Sequence, residues 1–279
     1  MSNISFAFFG TDHFAVCVLN QLEKDGLMPK VIIAVPDKPQ GKKQTVIEAP
    51  TKIWAKERNI EVLQPEKLNT EFVNVLSQNS YEVFIVASYG KIIPQTILDI
   101  PKRKTLNIHP SLLPQYRGSS PLENAILHST KTGVSVMRLD DKMDHGPILA
   151  QKECDFVLPV QRNILEERLA EEGGKLLGEI LEAWISGTLP EREQNHSQAS
   201  YTEKIKKEDG LLDLSKPFQS YKKILAYYGW PGTYFFSDKN NKKIRVLVTE
   251  ADFTNEKLLI KKVKPEGKKE MSYEDFLRG

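Results

Sequence analysis

Over roughly its first two-thirds the chain alternates short apolar runs with longer segments whose apolar positions recur every three or four residues. Ile4 to Phe9 is an apolar run ending at Gly10-Thr11, and Phe14, Val18 and Leu22 then repeat at four-residue spacing. That order predicts a strand, a glycine turn and an amphipathic helix. Val31 to Val35 predicts a second strand, Pro50 to Arg58 a helix, Ile60 to Leu63 a short strand, and Asn69 to Gln78 a helix with Phe72, Val73 and Leu76 turned inward. Val83 to Ala87 is almost wholly apolar, as a parallel strand covered on both faces must be. Further on, Pro121 to His128 predicts a helix and Gly133 to Leu139 a strand. Val160 to Ile185 then predicts a long helix with Leu165, Leu169, Leu176, Ile180 and Trp184 on one side. Gly173 and Gly174 weaken that helix's propensity and predict close approach to the sheet.

These elements predict an α/β fold, Rossmann-like with a mostly parallel sheet, over residues 1–187. From 188 to 204 the chain is polar and aperiodic, the pattern of an interdomain linker. Residues 205–279 alternate differently. Thr233 to Phe236, Ile244 to Thr249 and Leu258 to Lys262 read as short antiparallel strands of a small barrel.

Composition narrows the function classes. With 40% hydrophobic and 27% charged residues in 279, the chain is that of a folded, soluble protein. No apolar run approaches the roughly 18 residues of a membrane span. The N-terminus lacks a basic-then-apolar leader, so a cytoplasmic location is expected. Cys17 and Cys154 are far apart and outside any C-x-x-C or Cys/His cluster, which argues against a disulfide framework and a zinc site. Without a G-x-G-x-x-G no nicotinamide dinucleotide is indicated. The net charge of +2 is unevenly spread. From Tyr201 onward 17 basic side chains face 12 acidic ones, net +5, leaving −3 for the rest. Such a tail suits a polyanion, or is simply a lysine-rich solvated surface.

The candidate chemistry sits in Leu106-Asn107-Ile108-His109-Pro110-Ser111-Leu112-Leu113-Pro114-Gln115-Tyr116-Arg117-Gly118. An apolar lead from Thr105 predicts a strand leaving the sheet, and positions two apart share a face, so Asn107 and His109 point the same way. Pro110, Pro114 and Gly118 keep the following segment irregular. Taken alone, the pair reads instead as a turn cap at Asn107 and a satisfied surface histidine at His109; the rest of the run overturns that.

The run Asn107 to Pro114 resembles the central motif of the formyltransferases that use 10-formyltetrahydrofolate. About 35 residues on, Leu139-Asp140-Asp141-Lys142-Met143-Asp144-His145-Gly146-Pro147 is similar to that family's aspartate loop, with the aspartate at Asp144. Phe9 to Ala15, Gly229-Trp230-Pro231-Gly232-Thr233 and Pro265 to Phe276 resemble the methionyl-tRNA branch, so the resemblance covers the whole chain. It implies an OB-type C-terminal barrel, shortened here, because the branch carries about two more strands between the positions of Asp252 and Leu258.

The resemblance also implies an activity: transfer of formyl from 10-formyltetrahydrofolate to the α-amine of methionyl initiator tRNA, by a monomer acting in translation initiation. Amine attack on a formamide-like carbon passes through an oxyanion, and catalysis gains most from donors placed where that charge develops. The Asn107 amide and a protonated His109 supply such donors, and Asp144 is assigned the support of His109 and a share in accepting the ammonium proton. Ser111, Leu112, Leu113 and Pro114, with Asp140, are assigned to the folate through backbone hydrogen bonds and fixed shape. Ile92 and Ile93, in the turn after Val83 to Ala87, wall the same pocket or merely pack under a helix. Asp140 is otherwise a solvated turn residue. Pro36 to Pro50 reads as a long loop in which Lys42 and Lys43 are assigned to the tRNA. Lys42 stands where the branch commonly has arginine, keeping the charge but losing the planar fork. Two other readings stand beside this one: a sugar-nucleotide N-formyltransferase, and a weakly active tRNA-binding protein.

Overall fold

The computed structural model describes residues 4–40, 45–155, 157, 159–239 and 242–278. By internal contacts the chain divides into two compact units. One comprises residues 1–117, 132–154 and 166–201, and the other 118–131, 155–165 and 202–279.

The first unit is built on a seven-stranded sheet. Its strands are β1 (Phe6–Phe9), β2 (Val31–Ile33), β5 (Glu61–Leu63), β6 (Val83–Val86), β7 (Thr105–His109), β9 (Thr132–Arg138) and β10 (Ile148–Cys154), in the order β10-β9-β7-β6-β1-β2-β5. The five from β5 to β7 are parallel, while β9 runs antiparallel to β7 and β10 antiparallel to β9. The strand order reverses at β1 and β6, the kind of switch point at which open α/β sheets take ligands beyond their carboxyl ends. Phe6, Phe8, Phe9, Ile32, Ile33, Phe84 and Ile85 are wholly buried, which explains why these strands read as continuous apolar runs.

Helix α1 (His13–Lys24) starts where Asp12 accepts a hydrogen bond from Ala15 N at 3.3 Å. Helix α2 (Pro50–Glu57) begins with proline at its first turn. Helix α3 (Thr70–Ser77) is capped by Asn69 through Phe72 N at 3.2 Å, and the short α4 (Gln95–Leu98) follows β6. Between β2 and α2, where an irregular loop was expected, β3 (Lys38–Gln40) pairs antiparallel with β4 (Thr45–Ile47). Lys42 and Lys43 lie outside the described residues. Two further short strands, β8 (Arg117–Gly118) and β11 (Tyr201–Thr202), pair with each other.

The long helix α6 (Arg162–Ser186) explains its glycines. A Cβ on Gly173 would lie 2.5 Å from Ile108 Cγ2 and 3.0 Å from Val134 Cγ2, so only glycine admits this contact with β7 and β9. Leu106 and Ile108 therefore fill the α6 face of β7, and alternation sends Asn107 and His109 to the other face.

In the second unit β12 (Thr233–Lys239), β13 (Lys242–Thr254), β14 (Lys257–Pro265) and β15 (Met271–Ser272) pair antiparallel in that order. Helix α7 (Pro217–Ala226) and the terminal α8 (Tyr273–Arg278) bring Ile224 and Phe276 onto Phe235, Val246, Val248 and Val263. Helix α5 (Pro121–His128) belongs to this unit too, and Lys222 Nζ donates to Leu127 O. Strands β13 and β14 run well past the lengths expected from alternation and are closed by Asn255-Glu256, both at positive φ (47° and 60°). That is the signature of a two-residue hairpin turn whose twist matches its strands. A long hairpin thus stands where the resemblance places two additional strands.

Candidate active site

Asn107 and His109 lie at the carboxyl end of β7, 8% and 5% exposed. Among the described residues the Asn107 side-chain amide makes no hydrogen bond within the protein, and its polar atoms are not among those sealed from solvent. The ring of His109 is better anchored. Its Nε2 lies 2.9 Å from Tyr116 O, and since a carbonyl only accepts, Nε2 carries the proton there. Nδ1 faces Asp144 Oδ1 at 3.7 Å, too long for a direct hydrogen bond, with both side chains nearly enclosed.

Asp144 reaches His109 from the connection between β9 and β10. The ends of this loop are tied by Arg138 N donating to Pro147 O at 2.9 Å. At Gly146 the backbone of Arg138 comes so close that a Cβ would lie 2.0 Å from Arg138 O. Asp140 organises the loop from within, accepting from Lys142 N at 3.0 Å and pairing with His145 Nδ1 at 2.8 Å. The side chain assigned to the folate is thus engaged in the turn. Asp144 itself sits at φ 48°, in the left-handed region that aspartate tolerates better than most residues.

The loop is held from outside by groups that sequence reasoning missed. Gln194, 5% exposed, donates from Nε2 to Asp144 O at 2.9 Å and to Gly146 O at 2.7 Å. Its Oε1 accepts from Arg117 Nε at 3.2 Å and Nη2 at 2.7 Å. Arg117 is 1% exposed and also donates to Tyr201 Oη and to His196 Nδ1, each at 2.9 Å. The His196 ring stacks on His145 at 4.0 Å with an interplanar angle of 3°. Loss of hydration and the neighbouring His145 and Arg117 hold the His196 imidazole below its ordinary pKa, as its role as acceptor from Arg117 requires. Further residues of the polar stretch expected to be a linker also meet this part of the unit. Arg192 exchanges backbone hydrogen bonds with Ile148, and Glu191 takes a bidentate bond from Arg138.

The other assigned residues divide. Each carbonyl from Ser111 to Pro114 accepts a bond from within the chain: from Ser135 Oγ, Gln115 N, Gln151 Nε2 and Ser200 N in turn. Ser111 Oγ donates to Gln115 O at 2.6 Å. What this turn offers a ligand is chiefly its rigid shape. Leu113 is buried against Met137 and Ile148, and Ile93 packs on the main core, whereas Ile92 is 84% exposed.

At the carboxyl end of β7 a strand-borne imidazole thus faces a loop carboxylate, with the Asn107 amide two residues before it on the same strand. Comparison with known proteins gives the class: residues 2–181 match the formyl transferase family. A methionyl-tRNA formyltransferase of Chloroflexus aurantiacus is 40% identical over 252 residues, covering 89% of this chain and 81% of its own. One from Geobacillus thermodenitrificans is 35% identical over 304 residues, covering 100% of this chain and 94% of its own. The chain belongs to the methionyl-tRNA formyltransferase family. The methionyl-tRNA formyltransferase structure from Clostridium thermocellum shares the fold, with a TM-score of 0.62 at 16% identity, covering 94% of this chain and 98% of that one.

Proposed function

We propose that the protein moves a formyl group from 10-formyltetrahydrofolate to the α-amine of methionine on charged initiator tRNA, with Asn107, His109 and Asp144 at the reacting centre. The observation that carries this reading is the pairing of an unengaged, nearly buried Asn107 amide with a His109 Nδ1 turned toward Asp144. A formamide oxygen gathering charge needs a preorganised donor, and the Asn107 Nδ2–H group suits it. The folate supplies the formyl carbon in a form open to amine attack. With Nε2 committed to Tyr116 O, His109 works through Nδ1, which in the protonated ring donates either to the developing oxyanion or to Asp144. Asp144 faces that nitrogen and takes a proton from the α-ammonium, freeing the amine to attack the formyl carbon. As the tetrahedral intermediate collapses, the bond from that carbon to the folate nitrogen breaks, and that nitrogen leaves carrying a proton, as tetrahydrofolate.

Ser111, Leu112, Leu113 and Pro114 shape the folate pocket, with Ile92 and Ile93 along its wall, and Asp140 serves it through the loop it braces. Lys42 and Lys43 approach the acceptor end of the tRNA, and residues 205–279, a shortened OB-type barrel beyond residues 188–204, give a second basic surface. The enzyme acts as a monomer in the cytoplasm.

The test offers purified protein and 10-formyltetrahydrofolate three acceptors: charged initiator tRNA, an amino-sugar nucleotide, and water alone. Formylation of the tRNA alone, with a KM that rises steeply with salt as counterions are released, supports the reading. Formylation of the nucleotide replaces it with the small-molecule reading. Tight tRNA binding without turnover on any acceptor leaves a binding protein.

A further inference from the structure

We infer that Gln194, fixed by Arg117, is a positioning residue that sets where the Asp144 carboxylate stands against His109. The assignment rests on the catalytic reading of Asp144 given above. Four observations carry it. Gln194 comes from a segment far along the chain and is nearly buried, yet it spends both amide hydrogens on the carbonyls of Asp144 and Gly146, the two that bracket His145. A residue in the left-handed region persists only where its surroundings over-determine it, and Asp144 at φ 48° has this clamp on its own carbonyl. The amide of Gln194 is not free to turn over, because its Oε1 sits in the fork of an arginine 1% exposed that also donates to Tyr201 and His196. From the other side the His145–His196 stack and the His145–Asp140 pair hold the same loop. Gln194 meets the reacting groups at the backbone of Asp144.

The chemistry of the side chain gives a discriminating variant. Gln194→Glu keeps an oxygen for the Arg117 fork but turns an anionic acceptor on two carbonyls that need donors, so the core pairing survives while the loop is released. A displacement of about 1 Å at a reacting group costs up to about 10²-fold. We therefore expect kcat to fall about 10- to 100-fold, with KM for folate and for tRNA each within about twofold, and the pH profile of kcat to change in the same sense as in Asp144→Asn. Gln194→Ala, which leaves the carbonyls merely unpaired, should fall between Gln194→Glu and the unsubstituted enzyme. Should Gln194→Glu fail to fold, Gln194→Ala carries the same readouts. A kcat within twofold of the unsubstituted enzyme overturns the assignment, as does a loss confined to KM or an unchanged pH profile. Asp144→Asn, measured alongside, separates the two levels. If it loses activity while the Gln194 variants do not, only this assignment falls; if it keeps full activity, the catalytic reading falls and takes the assignment with it.

Discussion

His109 and Asp144 face each other across 3.7 Å but are held by opposite kinds of construction. His109 ends a strand whose neighbours on both sides are buried, and its position is inherited from the hydrophobic core: Leu106 and Ile108 pressed on α6, with Gly173 making room. Asp144 stands on a loop with little core of its own, and its position comes from directional polar bonds brought by Arg117 and Gln194. Apolar packing fixes a strand without regard to orientation of any one bond, whereas a loop must have its carbonyls satisfied one by one. A site that needs a donor and a carboxylate at a set separation can be assembled from these two parts.

The contrast is sharpest in the reacting groups. Removing one oxyanion donor costs on the order of 10²–10³ in turnover. Asn107→Ala and His109→Ala should each lose at least that in single-turnover formylation, while folate binding survives. A His109→Ala enzyme turning over at nearly the unsubstituted rate would remove the imidazole from the mechanism. Asp144→Asn keeps the size and the tolerance of left-handed backbone but removes the charge. Its turnover should fall steeply and follow a different pH profile, and an unchanged profile would make Asp144 a structural residue only.

The two constructions should also fail differently under perturbation. Gly173→Ala forces a Cβ to within 2.5 Å of Ile108 Cγ2, and overpacking of this kind costs about 1–3 kcal/mol. The urea midpoint should drop by the corresponding amount, because the damage is to the core behind β7. Mild acid should instead loosen the loop. His196 accepts from Arg117 only when neutral, and partial loss of hydration, His145, Arg117 and Lys142 lower its pKa while Glu193 opposes them. Between the lowered folded value and the ordinary value near ~6.5, the unfolded chain binds more protons, so stability falls as pH drops through that window. The effect is small, since the ring is exposed, and His196→Asn should flatten this part of the curve of Tm against pH. A curve unchanged by that substitution would detach His196 from the clamp.

The same contrast decides what the sequence makes legible. The parallel strands, the helices and the close approach at Gly173 follow from apolar periodicity, because core packing leaves a pattern. The shared face of Asn107 and His109 follows from strand alternation. Asp144 was reached only through resemblance, since its place depends on a loop. Gln194 leaves no trace: it lies in a polar, aperiodic stretch that resembles a linker, and only its partners across the fold reveal it. Arg117 had the faint signal of a cation at the end of the central motif. The β3–β4 ribbon is hard to read because each strand has three residues and β3 carries Pro39, and the long β13–β14 hairpin because a bulge around Glu250 shifts the phase of its alternation from Val246 and Val248 to Ala251 and Phe253.

The central claim is that Asp144 acts through His109, and a double-substitution cycle tests it most directly. His109→Ala, Asp144→Ala and the pair together are compared by kcat for formylation of charged initiator tRNA. Groups that act as a unit are strongly non-additive. The double variant should therefore lose markedly less than the product of the two single losses. If the two losses multiply instead, the carboxylate and the imidazole contribute independently, and their facing geometry has no catalytic meaning.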